Sequence, residues 1–209
     1  MNGEAIMAQK LQAAAERLGG AATVRLDVTD EGAVRTYFEA ADHFDHIAFT
    51  AGDWGSARRA AIADIDLAAA QSLFRVRFWG AVTVAKHSAR RLSPGGSLTL
   101  TGGMSAHRPQ KGSAIATAMA GCVEHLILGL AVELAPIRVN AVCPGAIRTE
   151  IWDQFPDHLR EVEFARIGRQ LLARIGEPDE VAEAYLYLMR GGYTTGQVIR
   201  VEGGSALGV

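Results

Sequence analysis

Lysine is nearly absent from this chain: three of 209 residues (Lys10, Lys86 and Lys111), against eighteen arginines. The bias reflects genomic composition more than function. Cysteine is as scarce, and Cys122 and Cys143 both sit in apolar runs, where they read as buried thiols of a reducing compartment. A formal charge of -2 leaves no electrostatic footprint for nucleic acid or an anionic membrane surface. No run approaches membrane-spanning length, and Met1 to Gly20 lacks the apolar stretch of a signal peptide, so a cytoplasmic protein is expected. Repeats, low-complexity tracts, linkers and local metal-ligand patterns are also missing.

What is present fits one folded domain over residues 1–209, with 49% apolar residues to build its core. Residues 4–18 read as an amphipathic helix stopped by Gly19-Gly20. Ala22 to Val28 reads as a strand, and Asp27-Val28-Thr29-Asp30 leads into a helix over Glu31 to Ala41. His46 to Gly52 is a buried strand with a small-residue ending, and Asp66 caps a long helix running to Leu92. Gly80 inside it is unfavourable by propensity and marks close packing. Ser97 to Thr101 is a further strand.

The stretch from Ser113 to Gly145 organises the rest. Ile115, Met119, Cys122, Leu126 and Leu130 recur at helical spacing, widened by Val123, Ile127 and Leu134. Pro136 stops that helix. Ile137, Val139 and Val142 then form a short strand that ends at Pro144-Gly145. The words LAVELAPIRVNAVCPG resemble the matching segment of the short-chain dehydrogenase/reductase superfamily. HIAFTAG resembles its Asn-Asn-Ala-Gly element, with Phe49 and Thr50 in place of both asparagines. The run Thr194 to Gly204 resembles its terminal strand.

The resemblance implies an α/β fold: a Rossmann-like doubly wound parallel sheet with helices on both faces. It also implies NAD or NADP as cofactor. Asp27 and Val28 would lie at the adenine, Ala51 and Gly52 beside the ribose, and Pro144, Gly145, Ile147 and Thr149 at the nicotinamide. Taken alone, the Asp-Val-Thr-Asp word more often describes a helix cap. The family's catalytic positions fall on Gly103, Ala116, Ala120 and Arg77, so Ser, Tyr, Lys and Asn are all replaced, and no catalytic residue carries over. No tyrosine in the chain has a lysine four residues on.

The family also opens with a strand, a Gly-x-x-x-Gly-x-Gly turn, a helix and a second strand. None of the 23 glycines makes that turn, so the first strand, glycine turn and second strand are expected to be absent, and cofactor affinity to be weak. Buried backbone groups left open where those strands belong would each cost roughly 1–3 kcal/mol. The sheet is therefore expected to close, with Ala22–Val28 pairing in parallel beside His46–Thr50.

The loop GGMSAHRPQKG (residues 102–112) lies where the family positions substrate. It reads as a polar surface loop, or as a substitute site in which only His107 can do acid–base work, with no orienting partner legible. Trp152, Phe155, Leu159 and Phe164 form either a lid or a plain core-covering helix. Three functions stay open: an NAD(P)-dependent oxidoreductase with substitute residues, a non-catalytic small-molecule-binding or partner protein, and a shortened product. The metal reading is none. The partner reading is an unknown small molecule and a homo-oligomer formed through the 66–92 and 113–135 helices.

Overall fold

The computed structural model describes residues 3–52 and 60–207. Four parallel strands form its sheet: β1 (Phe44–Phe49), β2 (Leu92–Thr101), β3 (Arg138–Pro144) and β4 (Val198–Val201), in the order β1-β2-β3-β4. The helices are α1 (Gly3–Arg17), α2 (Glu31–Ala40), α3 (Leu67–Phe74), α4 (Ala81–Ser88), α5 (Ala114–Glu133), α6 (Asp157–Ile167) and α7 (Pro178–Arg190). This is the α/β fold expected, with helices on both faces.

The faces follow from strand periodicity. Leu98 and Leu100 of β2 and Val139 and Ala141 of β3 point into a core shared with α2, α4 and α5. Val142 points the other way, into a core made with Val181, Ala184 and Leu188 of α7. Helix α5 is long and apolar enough to cross a membrane by length and composition, contrary to the sequence reading. It buries Met119, Ala120, Val123 and Ile127 against the sheet, as a core helix does. Met119, Val123 and Ile127 belong to the expected stripe, and Leu126, Leu130 and Leu134 pack half-buried against the same core, while Cys122 is exposed rather than buried.

Two expected elements change. The helix predicted from Asp66 to Leu92 is α3 and α4 joined by a π-helical turn over Arg75–Gly80. Asp66 does cap it, accepting from the Ala68 and Ala69 N–H groups at 2.9 and 3.1 Å. Leu92 belongs to β2 instead. The second change is larger.

Ala22–Val28 is not a strand, and the sheet does not close: β1 pairs with β2 alone among the described residues. Its residues are exposed except for half-buried Leu26 and Val28, which pack on the core shared with α4. A Cβ placed at Gly80 would lie 2.9 Å from Val28 Cγ2, so the glycine admits Val28. Closure would be required only of buried backbone. Here the backbone runs along the surface, where water satisfies what the ladder does not.

One buried cation ties the two ends of the second core together. Arg138, only 7% exposed, donates from Nη1 to the Leu188 carbonyl (2.6 Å) and from Nη2 to the Met189 carbonyl (3.0 Å). It caps the C-terminus of α7 from the start of β3.

Candidate functional site

The carboxyl ends of the strands and the first half of α5 converge, as they do at ligand sites of doubly wound sheets. β2 runs into Gly102-Gly103, a short 3-10 turn over Met104–Ala106, and His107. The Gly102 N–H donates to the Val142 carbonyl at 2.8 Å, which locks this turn to β3. A Cβ at Gly103 would stand 3.9 Å from the Ala120 Cβ. Two of the positions vacated in the sequence therefore face each other. Ser105 Oγ donates to the Ala116 carbonyl at 3.1 Å, and Arg108 Nη1 donates to the Ser205 carbonyl at 2.8 Å, so both hold structure rather than face an open site. Lys111 is exposed.

One helical turn beyond Ala120 stands the feature that sequence reading missed. Glu124 Oε1 lies 2.7 Å from His107 Nε2, with both side chains mostly buried. His107 thus has the orienting partner that was not legible. Cys143, on the same face of β3, brings its sulfur within 4.8 Å of both ligand atoms and 3.6 Å from Met104 Sδ. Burial pushes the Cys143 thiol up to about 12, and the Glu124 carboxylate adds to the shift. Residues 107, 124 and 143 share no local spacing; three separate elements bring these potential ligands together. The signal in the sequence was Glu124 itself, a charge four residues after Ala120 in the middle of a largely apolar helix.

Of the expected cofactor residues, Pro144, Gly145, Ile147 and Thr149 extend from β3. The Gly145 N–H donates to the Val201 carbonyl at 2.9 Å, and a Cβ there would lie 2.7 Å from Glu202 Cα, so only glycine fits. Ile147 forms a parallel bridge with Gly176 that uses the Ala146 carbonyl and the Arg148 N–H. Its own N–H and carbonyl face the opposite edge, where the carbonyl accepts from the Trp152 indole at 2.7 Å. Thr149 is exposed and precedes a 3-10 helix over Glu150–Gln154. Trp152 packs edge-on against Phe164 and tilted against Phe155, so the aromatics brace this loop from α6.

Val28 packs beside Phe49 at the end of β1, close to exposed Ala51 and Gly52, and the Arg77 guanidinium lies against Gly52. Asp27 Oδ1 accepts from both the N–H and the hydroxyl of Thr29 at 2.8 Å. The backbone bond first, then the hydroxyl, holds its carboxyl below the usual range. These groups and the Pro144–Thr149 loop sit on the same edge of the sheet, separated by the end of β2. The small residues and the Ile147 backbone edge leave main chain within reach of a ligand at this edge.

A parallel sheet with a small-residue turn after each strand defines a nucleotide-binding type of α/β protein. The chain belongs to the short-chain dehydrogenase/reductase superfamily: the family model described as enoyl-(acyl carrier protein) reductase matches residues 1–206. It is 37% identical over 175 residues to the short-chain dehydrogenase/reductase fsr5 of Gibberella fujikuroi, with 78% of this chain and 62% of that protein covered. The chain thus spans less than two thirds of that relative. A small-chain dehydrogenase solved in complex with NADPH superimposes with a TM-score of 0.83 at 38% identity, over 88% of this chain and 83% of that one. The MalC reductase/Diels-Alderase of Malbranchea aurantiaca gives 0.78 at 32% identity, over 88% and 74%.

Proposed function

We propose that this chain forms the substrate and nicotinamide side of an NAD(P)H-dependent reductase whose hydride goes to an acceptor already carrying positive charge. A cyclic iminium carbon is such an acceptor. It does not carry out the Tyr-dependent reduction of neutral carbonyls. The observation behind this reading is Glu124. Where the family motif sets a phenol and an ammonium, α5 carries Ala116 and Ala120, and the ionisable group on the next turn is a carboxylate 3.6 Å from a Cβ placed at Gly102.

The bound cofactor supplies the hydride. Hydride added to a neutral ketone leaves an alkoxide that must find a proton, and neither alanine can give one. Hydride added to an iminium carbon leaves a neutral amine and needs none. A carboxylate beside the acceptor stabilises the cation, whereas the family's lysine would repel it. The relatives' names support hydride chemistry. MalC is named both a reductase and a Diels-Alderase.

In this reading Asp27, Val28, Ala51, Gly52, Pro144, Gly145, Ile147 and Thr149 contact the cofactor. Exposed Trp79 before α4, and Leu128 and Val132 on α5, would seat a second copy of the chain. The test is calorimetric binding of a five-membered cyclic iminium against the neutral ketone of the same ring size. The cation should bind at least about tenfold tighter, roughly 1.4 kcal/mol, and Glu124→Gln should abolish the preference. Equal binding of the two rings, or NADPH oxidation with simple ketones, would overturn the reading.

A further inference from the structure

We propose that His107, Glu124 and Cys143 bind one soft divalent cation of the zinc class. The three ligand atoms lie within 4.8 Å of one another. They are an imidazole nitrogen, a carboxylate oxygen and a sulfur, the donor set that zinc, cobalt and copper take and that magnesium and calcium do not. A tetrahedral ion with bonds of about 2.0–2.3 Å holds its ligands less than 4 Å apart. Binding therefore opens the 2.7 Å His107–Glu124 hydrogen bond slightly and draws the sulfur in.

Each ligand stands on a separate, anchored element. His107 closes the 3-10 turn, its N–H bonded to the Met104 carbonyl at 3.1 Å. Glu124 lies mid-helix in α5, and Cys143 lies in β3, paired with Arg200 of β4. A rigid backbone with only side chains left to adjust is what a metal site needs. The side chains of His107 and Glu124 are 24% and 14% exposed, which leaves an entry path and an open fourth position. The Met104 thioether, already beside the cysteine sulfur, is placed to approach that position weakly.

The step is ligand substitution without redox chemistry. The cysteine S–H bond breaks and its proton goes to solvent. The proton that Nε2 holds toward Glu124 moves to Nδ1 of the neutral imidazole; the sulfur lone pair, the freed Nε2 and the carboxylate oxygen then bind the cation, so one proton leaves per ion. The inference stands apart from the iminium reading, because it needs no substrate or cofactor. It meets that reading at one point: a bound cation neutralises Glu124 and would weaken iminium binding.

Cobalt(II) is the probe. Titration of the purified chain should give one ion per chain, a thiolate-to-cobalt charge-transfer band, and visible absorption typical of a tetrahedral site. Zinc(II) should displace it; magnesium and calcium should not. Cys143→Ala should abolish the charge-transfer band, while Cys122→Ala, at the exposed thiol, should leave it intact. His107→Gln and Glu124→Gln should each weaken cobalt affinity at least about tenfold. Cobalt should raise the melting temperature of the parent and not that of Cys143→Ala, which also shows whether that variant is folded. No charge-transfer band in the parent, a band that survives Cys143→Ala, or one lost in Cys122→Ala would overturn the proposal.

Discussion

Gly80→Ala tests where the Ala22–Val28 segment docks. On an unopposed helix the change would stabilise the protein by roughly 1 kcal/mol, because glycine is that much the poorer helix former. The position is opposed. The new methyl would stand 2.9 Å from Val28 Cγ2, 3.3 Å from Val28 Cβ and 3.4 Å from Phe49 Cζ. Overpacking of this kind costs about 1–3 kcal/mol. The expected net is a loss of up to about 2 kcal/mol in urea unfolding followed by circular dichroism. Val28 is stiff at χ1, so relief requires the segment to shift. Val28→Ala should itself cost about 1 kcal/mol, since it removes two half-buried methyl-sized groups. The double variant should then be more stable than the sum of the singles by about 1–2 kcal/mol. A Gly80→Ala protein stabilised by about 1 kcal/mol, with no coupling to position 28, would refute the docking.

Other expectations come from the buried groups. Arg138→Leu should cost about 3 kcal/mol in urea unfolding, because hydrogen bonds to a charged donor are worth roughly 1.5–3 kcal/mol each and the Leu188 and Met189 carbonyls lose theirs. Cys143 ionises near 9.0 when unfolded and near 12 when folded. Above pH 9 the unfolded state therefore binds fewer protons than the folded one, and stability falls by up to about 1.4 kcal/mol per pH unit until pH 12. Cys143→Ala should flatten that part of the profile. In metal-free buffer at pH 8, iodoacetamide should label Cys122 and spare Cys143, as read by peptide mass spectrometry.

How much of this was legible in sequence depends on where each signal lives. Helices α1, α2 and α5 and strands β2, β3 and β4 could be read because periodicity and caps are local; Asp66 marks a helix start that the structure reproduces. Ala22–Val28 carries a strand-like composition, but its state is decided by whether another strand lies beside it, and composition does not encode that. Helix α5 departs from its expected stripe at Cys122 for a similar reason. Its apolar residues run nearly all round, so only the sheet decides that Val123 and Ile127 face inward while Cys122 and Leu128 do not. The His107–Glu124–Cys143 group was invisible because seventeen and nineteen residues separate its members along the chain. Topology alone brings them together.

The same geometry decides what restoring the family's residues would achieve. Ala116→Tyr with Ala120→Lys would return a phenol and an ammonium to α5. An ammonium one helical turn from a phenol favours the phenolate and lowers the phenol's pKa. Here the carboxylate of Glu124 stands four residues beyond position 120, the spacing at which helical side chains meet. At an effective dielectric of about 20, opposite charges 4 Å apart attract by roughly 4 kcal/mol. The introduced ammonium should therefore turn toward Glu124 and leave the phenol unassisted. Spectrophotometric titration, taken as a difference against the parent to remove the four native tyrosines, should show the new phenol ionising near its ordinary value of about 10. Adding Glu124→Gln should lower it by about one unit or more, because the ammonium then has no competing partner. An introduced phenol already lowered by that much in the double variant, with Glu124 intact, would show that the carboxylate does not govern the charge at this site.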